Sequence, residues 1–577
     1  MKNSDVAARL FEIAALMEFD EEPFFKIKAY ERAARSLEDT ETPLPALLST
    51  NALADLPGVG KAISQKIVDI YETGTCKYLD QLRAKFPPTI LELLTLPGVG
   101  AKTAVALYRE LGVAGLDDLR RSIEDGSIRK VPRVGAKMIE GLKARIDRLH
   151  DEPKRMRLGD AWPLAQSIAA DLRTLPCASN VTVAGSARRM ERSVHDIDIL
   201  CTSDEPAKVL KHFSSLDVVD HTSRANSKGT IWTKQGIAVD CRVMPHACFG
   251  NLLQHFTGNK AHNVRLRELA LRKGLKVSEY GIEDAQGKVM TCAHEAQVYA
   301  ALGLQFIPPE LRLGLNEIEL ARKGLIPTLV AVEDIRGDLH AHTDWSDGTR
   351  TIEQMASAAR ERGRDYLSIS DHSSGRAMAN GLSVERLREQ KRAIRKAQKA
   401  APLRLLHSSE VDIRADGTLD FANEVLAELD LVVASIHSSF RASKEQQTQR
   451  LLRAINNPYV TIIGHPTGTL IGERDGYEFD VETVFKAAAQ TGTALEINSN
   501  PARLDLPDNL ARKAVELGCT FAIDTDAHYV ENFDNIFYGV GTARKAGITK
   551  ERVVNARSVD EVIAFARRKR EKVSSSL

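Results

Sequence analysis

The stretch 185-GSARRMERSVHDIDIL-200 decides how this chain is read. A Gly-Ser pair closes the apolar run 181–184, two arginines follow, and Asp196 and Asp198 then enter a second apolar alternation. Residues i and i+2 of a strand project from the same face, so the two carboxylates stand side by side. Like charges that close are costly unless neutralised. A pair of divalent cations would neutralise them and would also serve an in-line phosphoryl displacement. A third acid, Asp240, ends another short apolar run, 237–240. Alone, D-x-D is equally the pattern of a solvated strand end; Gly185, Ser186 and Asp240 turn the reading toward a nucleotidyl-transfer site.

Composition sets the frame. A chain of 577 residues has room for roughly three or four domains. Its 43% hydrophobic content supports buried cores, and its formal charge of +1 gives no whole-chain nucleic-acid signature, so charge has to be read locally. No run approaches the ~20 apolar residues of a membrane span, and the N-terminal apolar repeat is broken by acids, unlike a signal-peptide core. The seven cysteines are scattered without a C-x-x-C, which excludes a cysteine zinc cluster and fits a reducing, cytoplasmic compartment.

Residues 1–155 read as helical, beginning with the stripe Leu10, Ile13, Leu16 and Met17. The segments 56-LPGVGK-61 and 96-LPGVGAK-102 are near-identical, and 131-VPRVGAK-137 is a weaker third copy. This is the helix-hairpin-helix pattern. Gly58, Gly60, Gly98 and Gly100 allow a tight turn with exposed backbone N–H groups. With Lys61 and Lys102 beside them, these groups can hold a nucleic-acid phosphate without reading sequence. Arg133 stands where the third copy needs a glycine, which leaves that copy a structural role. Arg129, Lys130, Arg133, Lys137, Lys143, Arg145, Arg148, Lys154, Arg155 and Arg157 crowd after it. Next to phosphate-binding turns, such a run favours DNA contact.

Downstream, 255-HFTGN-259 precedes a helical segment with Asn263, Arg265 and Arg267. The order of hairpin repeats, GS-x-RR, D-x-D, strand Asp and FTG over residues 1–315 resembles the family X DNA polymerases. That resemblance implies that Asp196, Asp198 and Asp240 hold two Mg²⁺ or Mn²⁺ ions, with Asp240 placed to help deprotonate a primer 3′-hydroxyl. It assigns Gly185, Ser186 and Arg189 to the incoming triphosphate and Phe256, Thr257 and Gly258 to its sugar. Asn263 and Arg267 would touch the nascent base pair and the template side. Lys66 matches the family's lyase nucleophile, an amine able to form a Schiff base with an abasic sugar; its plainer role is an exposed DNA-contacting lysine. Three positions depart from the pattern. His195 replaces a common glycine, where it either caps the strand or crowds the triphosphate. His255 replaces an aromatic gate residue, and Ala187 replaces a larger one.

Residues 316–334 read as a linker with one short helix. Seven apolar runs then each lead into a helical segment: 335–341, 366–370, 403–411, 431–436, 460–464, 493–497 and 520–523. Such alternation argues a parallel α/β barrel, whose reactive residues gather at the C-terminal strand ends. Those ends carry His340, His342, Asp347, Asp371, His372, Glu410, His437, His465, Asp526 and His528. His407 lies within its run and reads as structural. Imidazoles and carboxylates suit Zn²⁺ or Mn²⁺, and nine of these ligands can hold a cluster of two or three ions. The order H-x-H…D, DH, E, H, H, D-x-H resembles the polymerase-and-histidinol-phosphatase (PHP) domain, which implies phosphate-ester hydrolysis. It puts His340, His342, Glu410 and Asp526 on one ion and has Glu410 bridge to another with His437. Asp347, His372, His465 and His528 complete the cluster. Arg376 is a candidate phosphate contact, and 567–572 reads as a short basic tail.

The expected fold is therefore multidomain. An α-helical helix-hairpin-helix region spans 1–82 and 83–155. An α+β nucleotidyltransferase palm (156–250) and a thumb (251–315) follow, then the linker and an α/β distorted (βα)7 PHP barrel (335–577). The whole order resembles bacterial family X polymerases with a PHP domain. The partners implied are gapped or primed DNA and dNTPs, with abasic-site DNA as a further substrate, a monomeric chain and no membrane. The activity implied is short gap filling in base-excision or break repair, beside 3′→5′ exonuclease trimming or abasic-site incision. Two other readings fit parts of the pattern. One is a PHP phosphatase of small phosphate esters with an appended DNA-binding module. The other is a DNA-binding scaffold whose nucleotidyl-transfer site is inactive through His195.

Overall fold

The computed structural model describes residues 3–20, 22–40, 44–49, 52–56, 58–95, 99, 101–131, 134–135, 138–143, 155–225, 228–375 and 379–574. Residues 1–153 and 154–577 form two compact units. The described part of the first unit is helical, from Asn3–Phe19 to Leu116–Glu124 and beyond. The stripe of the first helix is buried as its spacing predicts, with Leu10, Ile13, Leu16 and Met17 inside. One apolar cluster runs from Val6 through Ile63 and Leu107 to Leu142, across both hairpin segments.

The second unit opens with a helix, Leu158–Arg173, laid on a five-stranded sheet. The strand order is Ser179–Val183, Asp196–Thr202, Ala238–Met244, Lys228–Thr233, Val219–Ala225. Only the pair Asp196–Thr202 and Ala238–Met244 is parallel; the others are antiparallel. The alternation of the D-x-D strand sorts its two faces. Ile197, Ile199 and Cys201 join the core under the helix, while Leu200 packs against Leu252 and Leu253 of the helix Phe249–Thr257 on the opposite side. The helix Lys260–Leu271, a small antiparallel sheet and the helix Glu295–Ala301 follow. Within 316–334 the chain forms a short α-helix, Glu317–Arg322, and a 3-10 turn, Val332–Asp334, and Glu317 and Val330 are buried.

The C-terminal part is built from parallel strands. Gly337–Ala341, Tyr366–Ile369 and Arg404–His407 form one sheet. Glu410–Asp412, Val433–Ser435, Ile462–Ile463, Ala494–Asn498 and Phe521–Asp524 form another. The run 403–411, expected as one strand, is two. Its first half pairs back onto Tyr366–Ile369 and its second half pairs forward onto Val433–Ser435, with Ser408 and Ser409 at the switch. Parallel bridges join His372 to Glu410 and Ala341 to Ala527. His342 N donates to Ala527 O at 2.8 Å, tying the first strand to the segment after the last.

The basic run 567–572 is not a tail but the end of the helix Val559–Ser574. Val562, Phe565 and Ala566 bury its apolar face. One turn on, Lys569 is drawn in with them, and its ammonium donates to the carbonyls of Ile455 and Asn457 at 2.9 and 2.8 Å and to that of Val460.

The five-stranded sheet region and the parallel-strand region share packing. Leu504 and Tyr538 belong to the apolar cluster of the five-stranded sheet, and Trp162 meets Phe537 with ring centroids 5.2 Å apart. Lys545 Nζ reaches Glu191 at 2.7 Å, and Arg157 reaches Glu473 at 2.7 Å. Gly159 rests against the Pro501 ring, which a β-carbon would overlap. Gly159→Val is therefore expected to destabilise this unit by about 1–3 kcal/mol through overpacking, read as a lower unfolding temperature of the full chain.

Candidate functional site

Two chemical centres lie in the second unit. In the first, the register places Asp198 beside Asp240 and Asp196 beside Ala238 on adjacent parallel strands. Gly185 sits over Asp198 with φ of 62°, and a side chain there would strike the Asp198 carboxylate. Burial, with Asp196 and Asp240 beside it, pushes the Asp198 carboxyl up to about 7. Asp240 is held by Thr230, whose hydroxyl donates to Oδ1 at 2.7 Å, and by Lys228, whose Nζ is 2.7 Å from Oδ2. Neither partner was indicated by the motif. Three carboxylates on one sheet face form a hard, oxygen-only donor set that suits Mg²⁺ or Mn²⁺.

Around these acids the structure sorts the remaining candidates. Ser186 Oγ is buried with no hydrogen-bond partner among the described residues. Arg189 donates to the Thr257 carbonyl at 2.9 Å. Its neighbour Arg188 donates to Thr257 Oγ1 at 2.7 Å and makes a two-pronged pair with Glu295 at 2.9 and 2.7 Å. Glu295 is also paired with the fully buried Arg312. The arginine pair thus ties the acid-bearing sheet to the FTG helix. Phe256 has the Arg242 guanidinium over its ring at 4.3 Å. Asn263 closes the FTG turn by donating to the carbonyls of His255 and Gly258 at 2.7 and 3.0 Å, and Arg267 donates to the Asn263 carbonyl at 3.2 Å. His195 sits in the bend before the D-x-D strand and is turned to Arg155, which hydrogen-bonds its ring. Ala187 is a buried core residue.

In the first unit, Gly58 has φ of 86° with Arg32 directly beneath it, and Gly60 caps the helix Lys61–Thr73. Lys61 is exposed there. Lys66 donates to Ala62 O at 3.2 Å and lies 5.9 and 5.4 Å from the rings of Tyr30 and Tyr78. Gly98, Gly100, Arg133, Lys137, Arg145, Arg148, Lys154 and Arg376, together with the Lys102 side chain, lie outside the described residues.

The second centre surrounds Glu410, which is almost fully buried. Five imidazoles face its carboxylate: His372 at 2.9 Å, His465 at 3.0 Å, His437 at 3.2 Å, His340 at 3.4 Å and His342 at 3.6 Å. Asp526 lies 3.1 Å from His342 and 3.6 Å from His340. Asp347 lies 3.4 Å from His528 and 3.5 Å from His372. All nine expected ligands converge. Their donor atoms fall into three overlapping groups, each within 4.8 Å: His342, Asp347, His372 and His528; His340, His342 and Asp526; His372, Glu410 and His437. His465 joins through Glu410. His407 stands apart in its strand, buried, with its pKa lowered to about 4, mainly by that burial.

Two carboxylates behind the cluster were not singled out in the sequence. Glu496 takes His340 Nδ1 at 2.6 Å, and Asp412 takes His437 Nδ1 at 2.6 Å. Both leave the opposite ring nitrogen turned to the cluster, the usual arrangement behind a metal-binding histidine. A glutamate inside the apolar strand Ala494–Asn498 was the available signal for the first, and the i+2 spacing from Glu410 for the second. Asp371 is structural: it accepts from Thr343 Oγ1 at 2.6 Å and from Gln390 at 2.5 Å.

The cluster is charged and incompletely paired. Burial works to raise Glu410, but His437, His372 and His340 hold it well below the carboxylate range. Burial, then the neighbouring His528 and His372 rings, push His342 down to about 3. Among the described residues, His340 Nε2 and both ring nitrogens of His342 are buried without a well-formed hydrogen bond, though His342 Nε2 lies 3.1 Å from Asp526. Orphaned buried donors and acceptors cost about 1–3 kcal/mol each, and neutral imidazole nitrogens facing carboxylates are what divalent cations take up. The residues fit a metal cluster. Glu496→Gln is expected to weaken metal binding about 10–100-fold by loosening the His340 ring, measured as metal retained against a chelator.

Comparison with known proteins agrees with this arrangement. Residues 1–76 match the helix-hairpin-helix domain, 90–148 the SAM-like helix-hairpin-helix tandem, 252–313 the DNA polymerase beta thumb and 338–500 the PHP domain. The chain is 36% identical over 573 residues to the DNA polymerase/3′-5′ exonuclease PolX of Bacillus subtilis, covering 98% of this chain and all of that protein. It is 26% identical over 314 residues to DNA polymerase lambda of Rattus norvegicus, covering 49% of this chain and 52% of that one. A probable phosphatase of Thermoanaerobacter is 30% identical over 247 residues, 41% of this chain and 96% of the phosphatase. No helix among the described residues is long and apolar enough to cross a membrane. With a relative of that identity matched end to end, the chain belongs to the family X DNA polymerases that carry a C-terminal PHP domain.

Proposed function

We propose that this DNA polymerase, which also carries nuclease activity, fills short gaps in DNA during repair and processes DNA ends or abasic sites at its second centre. One observation carries the reading: a single compact unit holds both an acid triad on adjacent parallel strands and a nine-ligand cluster centred on Glu410. A small-ester phosphatase would need only the cluster.

At the first centre, Asp196, Asp198 and Asp240 would hold two Mg²⁺ or Mn²⁺ ions. Asp240, held by Thr230 and Lys228, would receive the proton of the primer 3′-hydroxyl as that oxygen attacks the α-phosphate and pyrophosphate leaves. Ser186 and Arg189 would bind the triphosphate, and Phe256, Thr257 and Gly258 its sugar. At the second, His340, His342, Asp347, His372, Glu410, His437, His465, Asp526 and His528 would hold Zn²⁺ or Mn²⁺, with three ions the number that matches the three donor groups. When bound, these cations supply Lewis acidity for phosphoryl chemistry. Glu496 and Asp412 keep His340 and His437 in the tautomer that faces the cluster. Gly58, Gly60 and Lys61 would grip the DNA backbone at the first hairpin, and Gly98, Gly100 and Lys102 at the second.

Separable losses test the reading. Asp240→Ala is expected to abolish extension on a one-nucleotide gap while DNA cleavage persists, and His342→Ala to do the reverse. Either change removing both activities would sink the two-centre assignment. Lys66 as a lyase nucleophile is decided by borohydride trapping on abasic DNA: a covalent adduct that vanishes in Lys66→Ala assigns it that role, and no adduct leaves it a DNA-contacting lysine.

A further inference from the structure

The face of the five-stranded sheet that carries the acid triad extends two strands beyond it. Across the register, one row runs Asp198, Asp240, Thr230, and the next runs Asp196, Ala238, Trp232, His221. Thr230 and Lys228 both reach Asp240, so the alternate residues of their strand, Lys228, Thr230 and Trp232, lie on the acid face. Their neighbours point the other way: Ile231 and Thr233 are buried, and a β-carbon at Gly229 would meet Leu210 and Phe213.

Trp232 is 38% exposed. It packs into neither the core beneath its sheet nor the apolar cluster around Leu200 on the acid face. A tryptophan has a large apolar area to bury, yet this one is open and stacked on His221. The two ring centroids are 5.6 Å apart and the planes only 13° from parallel. The His221 side chain is itself 64% exposed, with Nδ1 2.9 Å from Asp220 Oδ2, a contact that steadies the ring. Only Ala238 stands between Asp196 and Trp232 in the row, so the flat pair lies two strand spacings, roughly 10 Å, from the triad. Any nucleobase can stack on such a surface, because every base has a π-face. Within a duplex those faces are already covered. The base suited to the pair is therefore one that has left the helix, and a mispaired base leaves at the least cost. A strand end held at the triad is within reach of the pair once its last base swings out.

We propose that the Trp232–His221 pair receives the unpaired 3′-terminal base of a mispaired primer and holds that end off the acid triad. An end so held cannot be extended and stays open to cleavage. The inference rests on the triad receiving the primer 3′-hydroxyl. It is tested by binding alone, on full-length His342→Ala protein without dNTPs, so that the end is neither removed nor extended. The probe is a primer–template whose 3′-terminal base is the fluorescent analogue 2-aminopurine, set opposite thymine as a pair or opposite guanine as a mispair. Stacking on the platform should quench the mispaired analogue. Adding Trp232→Ala should weaken the dissociation constant for the mispaired end about 10-fold, the loss expected for one base–aromatic stack. Trp232→Phe should keep most of the affinity and His221→Ala should lose part of it. Affinity for the paired end and the unfolding temperature should be the same in all of these proteins. With His342 intact, Trp232→Ala should narrow the preference for cleaving mispaired over paired primers. Equal affinity for the mispaired end with and without Trp232 would overturn the proposal. So would an equal loss at both ends, which would make Trp232 a general contact to the duplex. If Asp240→Ala left extension intact, the assignment of the triad would fail separately, while the titration would still decide whether the pair takes an unpaired base.

Discussion

Burying one carboxylate among five imidazoles is the constraint on which the C-terminal half depends. Glu410 can remain ionised at that depth only because His372, His465, His437, His340 and His342 converge on it from different strand ends. Breaking a buried ionic cluster by removing one partner is costly, so the frame delivering those partners has to be stiff. Parallel strands supply that stiffness, since their ends gather at one face, and most of them deliver one or two of the converging side chains there. The break at Ser408 and Ser409 has the same purpose. It lets a single run serve both sheets and sets Glu410 at the seam, where ligands from either side can reach it.

The first centre solves a similar problem with fewer groups. Three acids share one sheet face, and burial together with the crowding raises the affinity of Asp198 for its proton. Lys228 and Thr230 hold Asp240, while Arg188 and Arg189 carry the neighbouring loop onto the FTG turn. Charge is thereby distributed so that the acids keep their positions without closing the face on which a triphosphate would lie.

Much of this was legible in the sequence because the decisive signals are local. A two-residue period puts Asp196 with Asp198, and strand-end positions collect the nine ligands of the cluster. What stayed hidden depends on partners distant in the chain. Nothing near Arg188 indicates Glu295, and nothing near Asn263 indicates that its amide closes the turn after Phe256. The break at 408–409 was passed over because Leu403, Leu405, Leu406 and Val411 read as one run across the polar His407, Ser408, Ser409 and Glu410. The 567–572 run misled because charge alone was weighed, although Val562, Phe565 and Ala566 place Lys569 on the buried side of a helix. Glu496 could have been found, since a lone acid inside an apolar strand has to answer to something.

The packing of Pro501 on Gly159 and of Leu504 and Tyr538 into the neighbouring core bears on how such a chain can change over generations. The Thermoanaerobacter phosphatase is matched over 96% of its own length by only 41% of this chain. In the present chain, Leu504 and Tyr538 are interior, packed with the core of the acid-bearing sheet. Cutting the parallel-strand region free would expose apolar side chains and strip Lys545 of Glu191. The two regions are therefore not interchangeable modules on a string: a gene encoding only the latter one would need polar side chains at the positions of Leu504 and Tyr538 before its product could face water there.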